Sequence, residues 1–281
     1  MATLIRRFYQ GYRYLNEELS DPRTQNYFLM SSPWGCIGII AFYLYFVHEL
    51  GPNFMAKRKP FHLDRIIQIY NALQIVSCSY LLHQALTLAW LNDYTFCCHP
   101  VDYSDAPTPT AIATTVYYYF LLKMFDLFDT VFFVLRKKQN QVSFLHVYHH
   151  AGMTFGSWVA TKFLAGGHVT FLGAINSFVH VVMYTYYLVT SLGINRPWWK
   201  KHITQLQLFQ FFVLLVQYVL MLCVKDCPFP RWTAAVMIPQ NLFMVLLFGD
   251  FYYKAYVKKP AKKASQNGFS SDASNGKLKS Q

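Results

Sequence analysis

The chain has 281 residues, of which 54% are hydrophobic, 19% aromatic and only 14% charged, whereas soluble domains carry about a quarter of charged residues. That composition excludes an ordinary soluble domain and marks an integral membrane protein. The net charge of +12 does not mark a nucleic-acid binder, because the Lys and Arg residues sit in short loops and a tail rather than on one basic face; membrane topology and phosphate-bearing small substrates account for it better.

In chain order, Met1 to Ser32 is polar and aromatic, with Arg6, Arg7, Arg13 and Arg23 against Glu17, Glu18 and Asp21. It lacks the apolar core and small-residue cleavage site of a secretory signal, so the first hydrophobic span is expected to direct insertion. Apolar runs of about 17 to 25 residues then predict seven spans, roughly 34 to 50, 66 to 91, 112 to 135, 142 to 163, 168 to 192, 203 to 224 and 232 to 257. The organisation expected is a segment over 1–33, one membrane catalytic domain over 34–257 and a tail over 258–281.

Alternate loops are basic. Lys57, Arg58, Lys59 and Arg65 follow the first span, Arg136, Lys137 and Lys138 the third, Arg196, Lys200 and Lys201 the fifth, and Lys258, Lys259, Lys262 and Lys263 the last. The opposite loops carry Asp93, Asp102 and Asp105, then Lys162, then Lys225 and Arg231. The positive-inside rule predicts a luminal N-terminus and a cytosolic C-terminus. Cys97, Cys98 and Cys227 then fall in luminal loops, where an oxidising compartment permits a disulfide from Cys227 to one of the other two, Cys98 being the expected partner; free thiols are the alternative. The tail from Lys258 is rich in Lys, Ser, Asn, Gly and Ala and reads as disordered. Its Lys277 and Lys279 resemble a dilysine retrieval signal of endoplasmic-reticulum membrane proteins.

Four spans carry polar residues at helical spacing. The third has Lys123, Asp126, Asp129 and Thr130. The fourth has His146, His149 and His150, which share about 100° of one helical face. The fifth has Asn176, His180, Tyr184 and Tyr187, and the sixth Thr204, Gln207 and Gln210. Ionisable groups in a membrane need a partner or a function, and four polar stripes on successive helices predict one shared interior cavity. At about 1.5 Å per residue, His149 lies about 10 Å and His180 about 18 Å from the cytosolic face. The mouth is expected to be ringed by Arg136, Lys137, Lys138, Lys200, Lys201 and His202, suited to phosphates. Lone histidines such as His168 and His83 read instead as hydrogen-bonded interhelical contacts, and Tyr117, Tyr118 and Tyr119 as packing or interfacial aromatics.

Histidine and aspartate suit iron or zinc, and HxxHH occurs in membrane di-iron desaturases. Those enzymes resemble one another in having three histidine boxes, and this chain has one, so a metal site is not expected. Organic chemistry on a neutral imidazole, with an unperturbed pKa of about 6.5, is the better reading; with no Cys near the box, a covalent acyl carrier would be a histidine. A transporter with a polar intramembrane pathway would explain buried His and Asp, but not a triplet on one helix beside a one-sided basic mouth.

The motifs closely resemble those of the ELO family of fatty-acid elongases, the very-long-chain 3-oxoacyl-CoA synthases of the endoplasmic reticulum. The resemblance rests on DPR at Asp21 to Arg23, LMSSP ending at Pro33, LGP at Leu50 to Pro52, RKPF at Arg58 to Phe61, Asn71, VDYS at Val101 to Ser104, KMFDLFDTVFFVLRKK from Lys123, FLHVYHH, NSFVHVVMYTYY from Asn176 and TQLQLFQF from Thr204. One departure is Asp126, where the family usually has Glu. The resemblance implies an all-α polytopic membrane protein with seven transmembrane helices, six of them forming a barrel around an acyl tunnel. It implies condensation of acyl-CoA with malonyl-CoA, without a further cofactor, among the other elongation-cycle enzymes and lipid of the endoplasmic-reticulum membrane, and it allows a homodimer. His149 would be the nucleophile, His180 the stabiliser of the developing anion, and Asn176 and Gln207 polar donors. His146 and His150 would orient the rings, Asp126 and Asp129 fix their tautomers and Lys123 supply positive charge. Tyr187 joins the basic mouth as a CoA contact. The HVYHH form resembles that of elongases accepting polyunsaturated or very long chains.

Overall fold

A computed structural model of the chain describes residues 1–194 and 198–258. Every regular element among them is helical: α1 (Ala2–Arg13), α2 (Pro33–Tyr45), α3 (Gly51–Met55), α4 (Asp64–Ala85), α5 (Pro107–Phe125), α6 (Phe128–Leu135), α7 (Phe144–Phe163), α8 (Thr170–Ser191), α9 (Lys200–Cys223) and α10 (Trp232–Tyr252). The starts follow local chemistry. Ser32 accepts the Trp34 N–H with Pro33 at the first helical position, Pro107 opens α5, and Ser143 accepts the His146 N–H; caps and prolines of this kind satisfy or remove otherwise orphaned N–H groups.

Five helical units are long and apolar enough to cross a bilayer: Pro33–Met55, Asp64–Trp90, Gly167–Ser191, Lys200–Cys223 and Trp232–Val257. π-helical turns at Phe46–Leu50 and Leu86–Trp90 bring the first two to within a residue of the expected ends, and α3 carries the first on to Met55. The expected third and fourth spans are also helical, but they hold the Lys123 and histidine-box groups that lower their apolarity. The third is not one helix. It breaks at Asp126 and Leu127, where the amides of Leu127 and Asp129 reach back three residues, to Met124 O and Asp126 O.

α7 packs on α5, α5 on α4, α4 on α8, α8 on α9 and α9 on α10. The ring closes from α10 to α7 through side chains, the Tyr148 hydroxyl donating to Gln240 Oε1 at 2.6 Å. α2 packs outside, against α7.

One end of the ring is sealed by Cys98 and Cys227, which form a disulfide with Cα atoms 6.0 Å apart. Beneath it the turn between α7 and α8 needs glycine: Gly167 has φ +60°, and a Cβ there would lie 2.6 Å from the Pro100 carbonyl oxygen. That close approach lets the His168 N–H reach His99 O at 2.9 Å. The His168 ring is fully buried between Tyr218 and Phe229, with neither ring nitrogen hydrogen-bonded within the protein. It therefore packs as an aromatic rather than as the hydrogen-bonded contact expected.

Lys162 corrects a second expectation. It belongs to α7 rather than to a loop, is fully buried, and donates to Asn16 O at 2.9 Å and Met30 O at 2.6 Å. Arg23 is likewise engaged, bound to Asp21 and to the carbonyls of Asp102, Pro109 and Ala165. These cations anchor the segment before α2 to the disulfide end. Arg196 and the tail residues Lys259, Lys262, Lys263, Lys277 and Lys279 lie outside the described residues.

Candidate active site

The histidine box occupies the first two turns of α7, directly behind its Ser143 cap. His146 Nε2 lies 2.9 Å from Thr130 Oγ1 of α6, which is 2.8 Å from the Tyr43 hydroxyl of α2. The His150 ring lies 4.2 Å from that of His146 and 5.8 Å from that of His149, and its Nδ1 is buried without a protein partner. His149 faces the other way, towards Phe211 of α9 at 5.9 Å and Phe248 of α10 at 6.4 Å.

A second cluster lies across α4, α5 and α8. The Lys123 ammonium donates to Asp126 Oδ2 at 2.7 Å and stands 3.4 Å from His180 Nδ1, with Asp126 Oδ2 3.6 Å from the same nitrogen. Gln74 donates to Asp126 Oδ1 at 2.7 Å and to the Tyr70 hydroxyl at 2.9 Å. All four of Lys123, Asp126, His180 and Gln74 are buried. An ion pair so far from water persists only when hydrogen bonds satisfy its remaining valences, and Gln74 supplies one of them. An ammonium beside Nδ1 favours the His180 tautomer with its proton on Nε2, leaving that N–H free to donate.

Between the clusters and the disulfide end runs one cavity of about 270 Å³. It is walled by all six ring helices, from Leu81 and Ala85 of α4 to Met237 and Met244 of α10. Its lining is mostly apolar; His149, Tyr119, Asn176 and Gln210 reach the wall towards the box, and Gln84, Thr115, Thr170 and Asn241 are among the other polar residues along it. The Tyr119 hydroxyl donates to Asn176 Oδ1 at 2.8 Å, and Asn176 Nδ2 lies 3.5 Å from Gln210 Oε1. Of the box histidines, His149 alone lines the cavity.

Two residues stand apart from their expected places. The Asp129 carboxylate accepts from the Tyr184 hydroxyl at 2.7 Å rather than from an imidazole, because the break after Asp126 turns it towards α8. Gln207 directs its amide at the Met183 sulfur, 3.7 Å away, and Gln210, one turn further, joins Asn176. Within the box it is the Thr130 hydroxyl that meets His146, while Asp126 faces His180.

The basic residues gather at the other end. Arg136 pairs with Asp64 at 3.0 Å, Lys137 donates to Ala56 O at 3.3 Å, and Lys138, Lys200, Lys201 and His202 are exposed. His202 Nδ1 lies 2.7 Å from Gln205 Oε1, and Tyr187 is 38% exposed. A shallow cleft lined by Arg58, Lys59 and His62 adds cations to this end, since the Phe61 N–H bonds Leu135 O.

Compared with known proteins, residues 28–264 match the family model described as ELO, GNS1/SUR4 family. The chain is 41% identical over 258 residues to very long chain fatty acid elongase 7 of Drosophila melanogaster, covering 91% of this chain and 78% of that one. It is 39% identical over 266 residues to human very long chain fatty acid elongase 4, covering 94% and 84%. Very long chain fatty acid elongase 7 of Rattus norvegicus is 41% identical over 255 residues, covering 89% and 90%.

Proposed function

The chain belongs to the ELO, GNS1/SUR4, family of fatty-acid elongases, and from that premise we propose that it is the condensing enzyme of elongation, joining acyl-CoA to malonyl-CoA to give 3-oxoacyl-CoA, carbon dioxide and CoA. One observation carries the reading: His149 alone of the box histidines stands on the wall of the mostly apolar cavity. An acyl chain lying in that cavity brings its thioester to His149.

In this mechanism an imidazole nitrogen of His149 attacks the thioester carbonyl. The C–S bond breaks, CoA leaves as the thiolate and takes the proton that the acylated ring gives up, and a neutral acyl-imidazole remains. Malonyl-CoA then loses carbon dioxide, and its enolate attacks the acyl carbonyl; the C–N bond breaks and the departing ring nitrogen takes up one proton from water, restoring the neutral imidazole. His180, with Nδ1 facing Lys123, would donate from Nε2 to the developing oxyanion, and donors fixed before reaction are the strongest contributors to such stabilisation. Asn176, held by Tyr119, is the second polar group there, and Gln210 takes the place first assigned to Gln207. His146, held by Thr130, orients the box. The two CoA thioesters are the only small molecules required.

The same reading gives seven membrane spans, six around the tunnel, in the endoplasmic-reticulum membrane. The disulfide end is luminal, and the basic end, with Arg136, Lys138, Lys200 and Lys201, meets the CoA phosphates from the cytosol. Purified chain in lipid vesicles, given a long-chain acyl-CoA and malonyl-CoA, is expected to form a 3-oxoacyl-CoA two carbons longer with stoichiometric carbon dioxide. Absence of that product across a panel of acyl-CoAs would overturn the assignment.

A further inference from the structure

Five of the six contacts around the ring are helix against helix. The sixth, α7 to α10, is not closely packed. Across it Tyr148 meets Gln240 and, edge-on at 5.4 Å, the ring of Phe243, and His149 meets Phe248. All of these contacts lie at the level of the histidine box.

Nearer the disulfide end the seam is bare. α7 presents Gly152 and Gly156, where an added Cβ would meet no atom within 4 Å, and α10 presents Val236 and Met237. Among the residues that line the cavity, the exposed ones are Gly152, Phe155, Gly156 and Val236, with Phe155 43% and Val236 57% exposed. All four flank this seam. A tunnel reached only through one end would put its exposed lining at that end; here it lies along one side, at hydrocarbon depth. Pro239 sits within α10 beside it and removes one backbone hydrogen bond, which lets that part of the helix bend.

We infer that the seam between α7 and α10 is a lateral portal, through which an acyl chain slides sideways between the bilayer hydrocarbon and the cavity. This rests on the elongase reading. The chain of a long-chain thioester lies in the membrane, and drawing it through water into the basic end would expose each methylene in turn. A side opening lets the CoA approach from outside the membrane while the chain never leaves an apolar medium. The Tyr148–Gln240 bond closes the portal next to His149, where the thioester must be held.

The test links the seam. Gly156→Cys with Val236→Cys is made in the full chain with the exposed Cys97 and Cys223 changed to Ser, reconstituted in vesicles, and bridged by a short bis-methanethiosulfonate reagent. Gly152→Cys with Met237→Cys serves if the first pair does not accumulate. The expected result is a fall of about tenfold or more in elongation of a long-chain acyl-CoA, as gating by a closed lid would give, relative to the unlinked chain and to each single-cysteine chain carrying the same reagent. An unchanged rate in fully linked chain overturns the portal and leaves the elongase reading standing. Loss equal to that of the singly modified chains also overturns it, since plugging then suffices. If the unsubstituted chain shows no malonyl-CoA-dependent elongation, it is the elongase reading that fails.

Discussion

Asp126 is the residue where this chain departs from the motif it otherwise matches, and it sits at the centre of the buried network. Its oxygens take bonds from Lys123 and Gln74, both at 2.7 Å. Removing its charge strands a buried ammonium, which in comparable pairs costs about 3–5 kcal/mol. Asp126→Asn is therefore expected to lower the thermal midpoint of detergent-solubilised protein clearly, whereas Asp126→Glu, which keeps the charge, is expected to hold most of the stability. Thr130→Val removes the hydroxyl 2.9 Å from His146 without opening a void. It is expected to lower kcat by about tenfold or more, since small displacements of a positioning group weaken catalysis steeply, with an unchanged KM for acyl-CoA and a stability loss of about 1–3 kcal/mol, because the buried Tyr43 hydroxyl loses the same partner. The histidines, Asn176 and Lys123 are legible in the sequence because ionisable and polar residues stand out in apolar runs. Gln74 and Tyr119 are not, since a lone Gln and membrane tyrosines have commoner explanations, and their partners Asp126 and Asn176 lie 52 and 57 positions away.

The helices themselves follow closely from apolar runs, prolines and Ser caps. What those signals do not carry is how helices end and break. α3 carries the first span past its apolar run to Met55, and the break at Asp126 splits the third. Lys162 shows the same limit, since at the very end of an apolar run it reads as a loop residue until the N-terminal segment is seen to wrap it in carbonyl groups. Lys162→Met keeps the length and removes the donor, leaving the carbonyls of Asn16 and Met30 without it. It is expected to loosen that segment, read as faster proteolysis before Pro33 and a loss of about 1–3 kcal/mol for the unmet groups. The Cys98–Cys227 link closes a loop of 129 positions, and Cys98→Ser is expected to cost about 2–5 kcal/mol in the same melting assay.

At the scale of the whole molecule, six helices enclose a mostly apolar cavity, with the histidine box towards one end, a disulfide-sealed cap at the other and cations beyond the box. The cavity was foreseeable from polar stripes on successive spans. Its ring order and its weak α7–α10 side were not, because periodicity fixes which face of a helix is polar and says nothing of which helix lies next to which. The account turns on His149 as the group that takes the acyl chain. Intact-protein and peptide mass spectrometry after incubation with a long-chain acyl-CoA, without malonyl-CoA, tests this directly. Stoichiometric CoA release and an acyl mass on His149 are expected, both lost in His149→Ala. Unmodified protein with no CoA released would contradict it.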